Sequence, residues 1–323
     1  MTWANRYLPP TEAPWQGRMD SPAASSFFQI IKLLDLKKNI PDHTKLAFAL
    51  LGFRCDEGIR RNLGRIGAAE GPIILREVLA KLPVHRQEII CYDAGDITCV
   101  DNNLESSQQS LGEAVSLLLQ HNIIPIVLGG GHEMAWGHFQ GIGKHLTNAH
   151  LAIVNFDAHF DMRPLLADKK GSSGTPFLQI AEAQEAAHRR FNYYCIGIQQ
   201  AGNIQALFDT AKKCHAQYIT ADELQIDTQK GIEFIQTILQ NHRHIYLSLC
   251  LDVFASAFAP GVSAPQALGL SPWQLMPLVR KLASSGKVMS YDLAELSPKY
   301  DIDLRTTKLA ANLIYEMIHH HKT

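Results

Sequence analysis

Long hydrophobic runs, an excess of either charge and basic stripes are all missing from this sequence of 323 residues. Its longest apolar run, residues 46–53, is far too short to cross a bilayer, which argues against a membrane-spanning protein. The 30 basic and 31 acidic residues nearly cancel and are spread along the chain. We therefore expect neither a nucleic-acid partner nor a membrane partner.

Closely spaced cysteine pairs are also missing. The six cysteines lie far apart without a Cys-x-x-Cys pair, which argues against a disulfide framework. No positively charged and then apolar leader opens the sequence, so we expect no secretory signal and a cytoplasmic protein with reduced thiols. No repeat, low-complexity segment or linker divides the chain. We predict one domain, residues 1–323, in which residues 1–20 form an extended arm.

Short apolar runs alternate with helical patterns over most of the chain. Strands are predicted near residues 46–53, 88–93, 123–128, 151–156, 192–198, 216–220, 244–250 and 287–294. Helices are predicted near residues 25–38, 72–82, 103–121, 133–145, 176–189, 202–214, 228–241, 271–284 and 303–320. Eight strands with helical crossovers predict an α/β fold, a three-layer α/β/α sandwich around a mostly parallel eight-stranded sheet.

Polar clusters follow two of the predicted strands. Residues 129–133 read Gly-Gly-Gly-His-Glu, and residues 157–161 read Asp-Ala-His-Phe-Asp. Ligands bind at the carboxyl ends of parallel strands, and side chains alternate along an extended segment, so Asp157, His159 and Asp161 are expected to point the same way. Together with His132 from an adjacent strand, they predict a site for a divalent metal such as Mn, Fe or Zn.

Two further strand ends contribute to the same edge. The strand at 244–250 ends in Cys250, and Asp252 follows two residues later, so both are expected on one face. Glu295 follows the last predicted strand. The site thus draws on four strand ends that are well separated in the sequence.

These motifs and their order resemble those of the ureohydrolase (arginase/agmatinase) family, over residues 46 to about 320. The resemblance is to the formimidoylglutamase branch of that family in four segments, residues 15–18, 56–67, 132–138 and 259–265. That branch implies hydrolysis of N-formimidoyl-L-glutamate to L-glutamate and formamide in histidine degradation.

The resemblance also implies roles for individual residues. Two manganese ions per chain are expected. His132 and Asp161 would bind the first, His159 and Asp252 the second, and Asp157 would bridge them. A hydroxide held between the ions would attack the formimino carbon, Asp161 would orient it, and Glu295 would pair with the cationic amidine.

Two positions depart from arginases. Cys250 stands where arginases have a second bridging aspartate, and we interpret it as a metal-facing thiolate. Phe177 stands where arginases carry a catalytic histidine, which argues against arginase activity.

For the two substrate carboxylates, the predicted partners are Arg163 and either Arg61 or Arg65. Thr175 is a further candidate for substrate contact. A dicarboxylate small molecule is therefore the expected partner, and family resemblance implies a homo-oligomer.

Three alternatives stay open at this point. Agmatinase or another guanidino-acid hydrolase is the first, although Arg163 opposes agmatine, whose far end is an amine. A mononuclear zinc deacetylase is the second, and it would need no ligand at His132. A non-catalytic metal-binding homologue is the third, because Cys250 could spoil the metal bridge.

Overall fold

The computed structural model describes residues 3–20, 22, 24–86, 88–146 and 151–322. Ten strands in this part of the chain form one sheet. They are β1 (Tyr7–Leu8), β2 (Lys32–Leu33), β3 (Ala47–Arg54), β4 (Ile90–Thr98), β5 (Ile124–Leu128), β6 (Leu151–Phe156), β7 (Asn192–Ile198), β8 (Gln217–Thr220), β9 (His244–Cys250) and β10 (Val288–Ala294).

The strands lie in the order β1-β4-β3-β5-β10-β9-β6-β7-β8, and β2 also pairs with β4. The eight predicted strands are all present and pair in parallel, which confirms the mostly parallel sheet. The predicted count of eight is too small, because β1 and β2 add two-residue pieces beside β4, with β1 antiparallel to it. Strands this short leave too little periodicity to be recognised in a sequence.

Eleven α-helices lie within the described ranges. They are α1 (Phe27–Ile30), α2 (Glu57–Arg61), α3 (Gly71–Leu79), α4 (Leu104–Gln120), α5 (Met134–His145), α6 (Pro176–Ala186), α7 (Gln205–Lys213), α8 (Ala221–Ile226), α9 (Thr228–Asn241), α10 (Pro272–Ala283) and α11 (Arg305–His320). The longer helices lie where helices were predicted, whereas the short helices α2 and α8 were not predicted.

The buried apolar side chains form two clusters, one on each face of the sheet. Helices α3 and α8 to α11 contribute to one cluster, and α4 to α7 contribute to the other. This arrangement confirms the three-layer α/β/α sandwich. Among the helices that the structure describes, none is both long enough and apolar enough to cross a membrane.

The helix predicted over residues 25–38 is wrong. Helix α1 ends at Ile30, and residues 32–33 form β2. Leu34 and Leu36 are buried, whereas Lys37 is exposed. The Leu34 amide donates to the Asp93 carbonyl of β4. Leu34 and Leu36, which together with Phe28 and Ile31 suggested one face of a helix, thus lie outside any helix. Leu34 directly follows β2, and Leu36 lies in the turn closed by the Lys38 amide, which donates to the Asp35 carbonyl at 3.0 Å.

The predicted arm is anchored to the edge of the sheet. Trp3 and Trp15 are buried, and the Trp15 indole donates to Asp93 Oδ2 at 2.8 Å. The same carboxylate faces Arg76, which is only 3% exposed and also pairs with Asp96. Burial of this charged group, with carboxylate partners on two sides, fixes α3 and the arm against β4.

Candidate metal centre

Four neighbouring strands carry the candidate site at their carboxyl ends. In sheet order they are β5, β10, β9 and β6. His132 follows β5, Glu295 follows β10, and the segment 157–161 follows β6. Strand β9 ends in Cys250, and Asp252 follows it. The prediction that the strands before His132 and Asp157 are adjacent is wrong, since β10 and β9 lie between them. Because all four strands are parallel neighbours, their carboxyl ends lie together at one edge of the sheet.

Three glycines bring His132 into the site, within the metal loop, residues 129–133. The amides of Gly129, Gly130 and Gly131 donate to carbonyls of Leu293, Phe53 and Cys55. A β-carbon on Gly130 would collide with the Cys55 carbonyl, so only glycine permits this close approach. The loop therefore continues the pairing of β5 with both neighbours and fixes the backbone of His132.

The segment 157–161 is not the extended continuation of β6 that the sequence predicted. It bends after Asp157, whose Oδ1 accepts the His159 amide at 2.7 Å. Asp161 has a left-handed backbone with φ 49°, a conformation that costs energy for a residue with a β-carbon. The bend and the left-handed residue, rather than strand alternation, direct these side chains into the site.

Two groups of potential ligands share Asp157. His132, Asp157 and Cys250 form one group, and Asp157, His159 and Asp252 form the other. Within each group the ligand atoms lie within 4.8 Å of one another. His132 Nδ1 lies 3.0 Å from Oδ2 of Asp157 and of Asp161, and His159 Nδ1 lies 3.1 Å from Asp252 Oδ2. The two groups, joined by one shared carboxylate, would suit two adjacent cations.

Hydrogen bonds behind His132 leave one ring nitrogen free for a cation. The Ser248 hydroxyl donates to Asp292 Oδ1 at 2.7 Å, so at 2.9 Å from His132 Nε2 it can only accept. His132 Nε2 therefore carries the proton, and in the neutral ring Nδ1 presents a lone pair to two carboxylates. That arrangement is repulsive unless a cation or a proton lies between them.

The electrostatics of the site indicate a shortage of positive charge. Burial and the charge of Asp157 raise the pKa of Asp161 to about 6. Burial and the surrounding carboxylates raise the pKa of the Cys250 thiol well above its usual range. Burial opposes protonation of His132 and His159, but the neighbouring carboxylates raise the pKa of both. Divalent cations would satisfy these groups, so the residues present fit a metal pair.

Glu295 lies beside the ligands as a buried carboxyl. Its backbone is left-handed with φ 73°, and Oε1 accepts the His132 amide at 2.9 Å. Burial raises the pKa of Glu295 to about 7, and the charge of Asp252 acts in the same direction. The two residues predicted to be catalytic, Asp161 and Glu295, thus both have left-handed backbones, as do eleven other non-glycine residues in the described part of the chain.

The sequence indicated only part of a buried network behind the metal loop, because His138, on the helix after that loop, was expected to orient its neighbours. Asp292 accepts from Ser248, from the Tyr246 hydroxyl and from His138 Nδ1, the last at 2.8 Å. Together these contacts hold the ring of His132 from behind. The sequence signals were His138 and the position of Ser248 four residues before Asp252, whereas Tyr246 and Asp292 lie inside predicted strands without a signal of their own.

Phe177 and Thr175 line the segment next to Asp161. The Phe177 amide donates to the Asp161 carbonyl at 3.2 Å, and its ring lies edge-on to His132 with centroids 5.3 Å apart. Thr175 is fully buried, and its hydroxyl contacts Ser172 and Gln179. This hydroxyl therefore holds the turn before α6, and its predicted substrate contact stays a prediction.

The predicted substrate arginines differ in how far the protein itself engages them. Arg61 pairs with Glu57 and Glu105 and is 10% exposed. Arg65 donates to the carbonyls of residues 260, 262 and 263 and covers the ring of Tyr300 at 4.2 Å. Arg163 is exposed, and within the described residues its guanidinium has no hydrogen bond or ion pair. Of the three, Arg163 is the one available to a ligand.

Comparison with known proteins shows the family of this chain. The arginase family model matches residues 46–319. The chain belongs to the arginase family. It is 45% identical to the formimidoylglutamase of Legionella pneumophila (strain Paris) over 315 residues, 97% of this chain and 98% of the relative.

Among the solved structures that match this chain are two from organisms other than Legionella. The Trypanosoma cruzi formiminoglutamase with Mn2+ has a TM-score of 0.77 and 25% identity, over 85% of this chain and 93% of that chain. The formimidoylglutamase of Bacillus subtilis has a TM-score of 0.79 and 21% identity, over 96% of this chain and 97% of that chain. The predicted family and its fold are confirmed, while the roles of individual residues stay predictions.

Proposed function

We propose that this chain hydrolyses N-formimidoyl-L-glutamate to L-glutamate and formamide and that it depends on two manganese ions. It is a hydrolase of the arginase family. The observation that carries the more specific proposal is the pair of ligand groups sharing Asp157, with Arg163 two residues beyond Asp161. A metal pair suits attack on an amidine, and a free guanidinium suits a substrate that ends in a carboxylate.

His132, Asp161 and Cys250 would hold one ion, His159 and Asp252 the other, and Asp157 both. Bound divalent cations supply an ionised water at neutral pH and stabilise negative charge at the reacting centre. Five of these six ligands offer imidazole or carboxylate, which suits manganese, whereas the thiolate of Cys250 is softer. Cys250 is nevertheless buried among the carboxylates of the site, so its thiol faces the other ligands and not solvent.

The chain's own residues would guide the reaction. Asp161 would accept a hydrogen bond from the attacking water and orient it toward the formimino carbon. Glu295 would pair with the cationic amidine, an interaction between charged groups in a water-poor pocket. As the bond from the formimino carbon to the glutamate nitrogen breaks, formamide and L-glutamate separate. Arg163 would hold a carboxylate of the glutamate part throughout.

A substrate panel tests this proposal. The manganese-loaded and zinc-loaded protein would be assayed with N-formimidoyl-L-glutamate, arginine, agmatine and guanidinobutyrate. We expect formamide from the first substrate with manganese and no urea from the others. Urea from agmatine or guanidinobutyrate would favour another member of the family, and no turnover with any compound would favour a non-catalytic homologue.

Compartment and assembly are also proposals. All six cysteines are free thiols, four of them buried, which is the state that the reducing cytoplasm maintains. We also propose a homo-oligomer, on family resemblance. Light scattering coupled to gel filtration would measure its mass, and a monomer would contradict it.

A further inference from the structure

Gly174 separates two side chains at the mouth of the candidate centre. A β-carbon on Gly174 would lie 3.0 Å from Arg163 Cδ and 3.2 Å from both Oδ1 and Nδ2 of Asn62. The amide of Asn62 and the side chain of Arg163 therefore converge on the same small space. We call these three residues the carboxylate notch.

Both polar side chains of the carboxylate notch are free to bind a ligand. Asn62 and Arg163 are exposed, and among the described residues neither side-chain head group has a hydrogen-bond or ion-pair partner. Their sequence neighbour Arg61 is different, because Glu57 and Glu105 already neutralise it. The side chain of Arg163, whose Cδ lies across this space from the Asn62 amide, carries several N–H donors and one positive charge, and together with the amide N–H groups it suits a carboxylate.

Backbone hydrogen bonds hold one side of the notch against the metal ligands. The Arg163 amide donates to the Gly174 carbonyl at 2.8 Å, and the Phe177 amide donates to the Asp161 carbonyl at 3.2 Å. The segments 161–163 and 174–177 therefore run side by side. Arg163 and Gly174 cannot move away without displacing Asp161.

The other side of the notch is tied to the metal loop. Asn62 ends helix α2, and the Gly58 amide at the start of that helix donates to Glu133 Oε1 at 2.9 Å. Glu133 follows His132 directly and is fully buried. A β-carbon on Gly58 would collide with the Glu133 carboxyl, so glycine is needed for this contact. Asn62 is thus held at a set position relative to His132.

We propose that Asn62 joins Arg163 in binding one carboxylate of the substrate, and that Gly174 keeps the space for it open. This inference rests on the proposed function, because it assigns the notch to the dicarboxylate that the metal centre would hydrolyse. Arg163 supplies the charge and Asn62 supplies a neutral donor on the opposite side. The pair selects a planar anionic group and disfavours a substrate whose far end is an amine, since that end would face a guanidinium.

Gly174→Ala is a steric probe of the notch. The backbone of Gly174 is not in the left-handed region, so alanine is tolerated there, but its methyl group would occupy the space between Asn62 and Arg163. We expect KM for N-formimidoyl-L-glutamate to rise about 10- to 100-fold with kcat little changed, because the variant loses a hydrogen bond to the charged carboxylate. Gly143→Ala in α5 is the matched control, because a β-carbon there would meet nothing within 4 Å.

Asn62→Ala tests the same contact without adding an atom. We expect a similar rise in KM with the natural substrate. The rise should vanish with an analogue in which the contacted carboxylate is an amide, either N-formimidoyl-L-glutamine or N-formimidoyl-L-isoglutamine. An unchanged KM in Asn62→Ala, or a penalty that persists with both amides, would overturn the inference while leaving the proposed function in place.

Calorimetry with L-glutamate, the expected product, needs no turnover. Weaker L-glutamate binding in Asn62→Ala and Gly174→Ala than in wild type and Gly143→Ala supports the notch, even for a protein that fails to hydrolyse N-formimidoyl-L-glutamate. Equal binding in all four proteins overturns it. Failure of the proposed function is seen separately, as absence of formamide with wild type.

Discussion

Replacing Asp157 with asparagine is the sharpest perturbation of the metal centre, because this carboxylate belongs to both ligand groups. Its Oδ2 lies 3.0 Å from His132 Nδ1, and its Oδ1 lies 3.6 Å from His159 Nδ1. The side chain is fully buried. Asparagine keeps the size and an oxygen that can accept the His159 amide, but removes the charge that the two sites share. We therefore expect both cations to be lost together.

The magnitude follows from the burial of the group. Removing one partner of a buried charge pair costs about 3–5 kcal/mol, so affinity at each site should fall by about 10²- to 10³-fold or more. Asp252→Asn is the matched control. Asp252 is also buried but belongs to one group only, so this variant should lose one cation and retain the other.

The assay is manganese content per chain after dialysis, with affinities from calorimetry and circular dichroism to verify folding. We expect two ions in wild type, one in Asp252→Asn and none in Asp157→Asn at a manganese concentration that saturates wild type. A folded Asp157→Asn protein that keeps one ion at wild-type affinity would refute the shared ligand.

Three further outcomes are expected. Ser248→Ala should weaken manganese binding about 10- to 100-fold by calorimetry, because His132 loses the partner that fixes its tautomer; unchanged affinity would contradict that role. In the metal-free protein the pKa of Glu295 is raised to about 7, so the folded state binds a proton that the unfolded state has lost. Stability should therefore fall as pH rises from about 4.5 to about 7, and Glu295→Gln should flatten that part of a plot of Tm against pH. Arg76→Ala should cost about 3–5 kcal/mol in denaturant unfolding by leaving the buried charge of Asp93 without a cationic partner, whereas the exposed Lys38→Ala should cost less than about 1 kcal/mol; equal costs would contradict a stabilising role for the buried Arg76–Asp93 pair.

The sequence was most informative about the polar residues that come directly after a buried strand. Apolar runs of the right length located all eight long strands, and the polar residues after them predicted which side chains would meet. That inference needs only the general rule that parallel strands end at one edge. It required neither the order of the strands nor the conformation of the loops.

Loop conformation was beyond the reach of the sequence. The sequence around Asp161 does not indicate a left-handed backbone, because that conformation accompanies contacts with a segment distant in the sequence. The Phe177 amide donates to the Asp161 carbonyl, and the Arg163 amide donates to the Gly174 carbonyl. Likewise, the proximity of Asn62 to Arg163 is seen only through Gly174, a residue more than a hundred positions away from Asn62. Such contacts depend on tertiary packing and leave no periodic signal.

The wrong helix at residues 25–38 has a related cause. Its apolar spacing fits a helical stripe, but residues 32–33 pair with β4, the Leu34 amide donates to the Asp93 carbonyl, and a turn follows at residues 35–38. Local pattern therefore predicted burial of Leu34 and Leu36 correctly and their secondary structure incorrectly.

Manganese anomalous diffraction from crystals of the wild-type protein tests the central idea most directly. We expect two peaks about 3.5–4 Å apart on either side of Asp157, one beside His132 and Cys250 and the other beside His159 and Asp252. A single peak, or peaks away from Asp157, would contradict a two-cation centre built on these four strand ends.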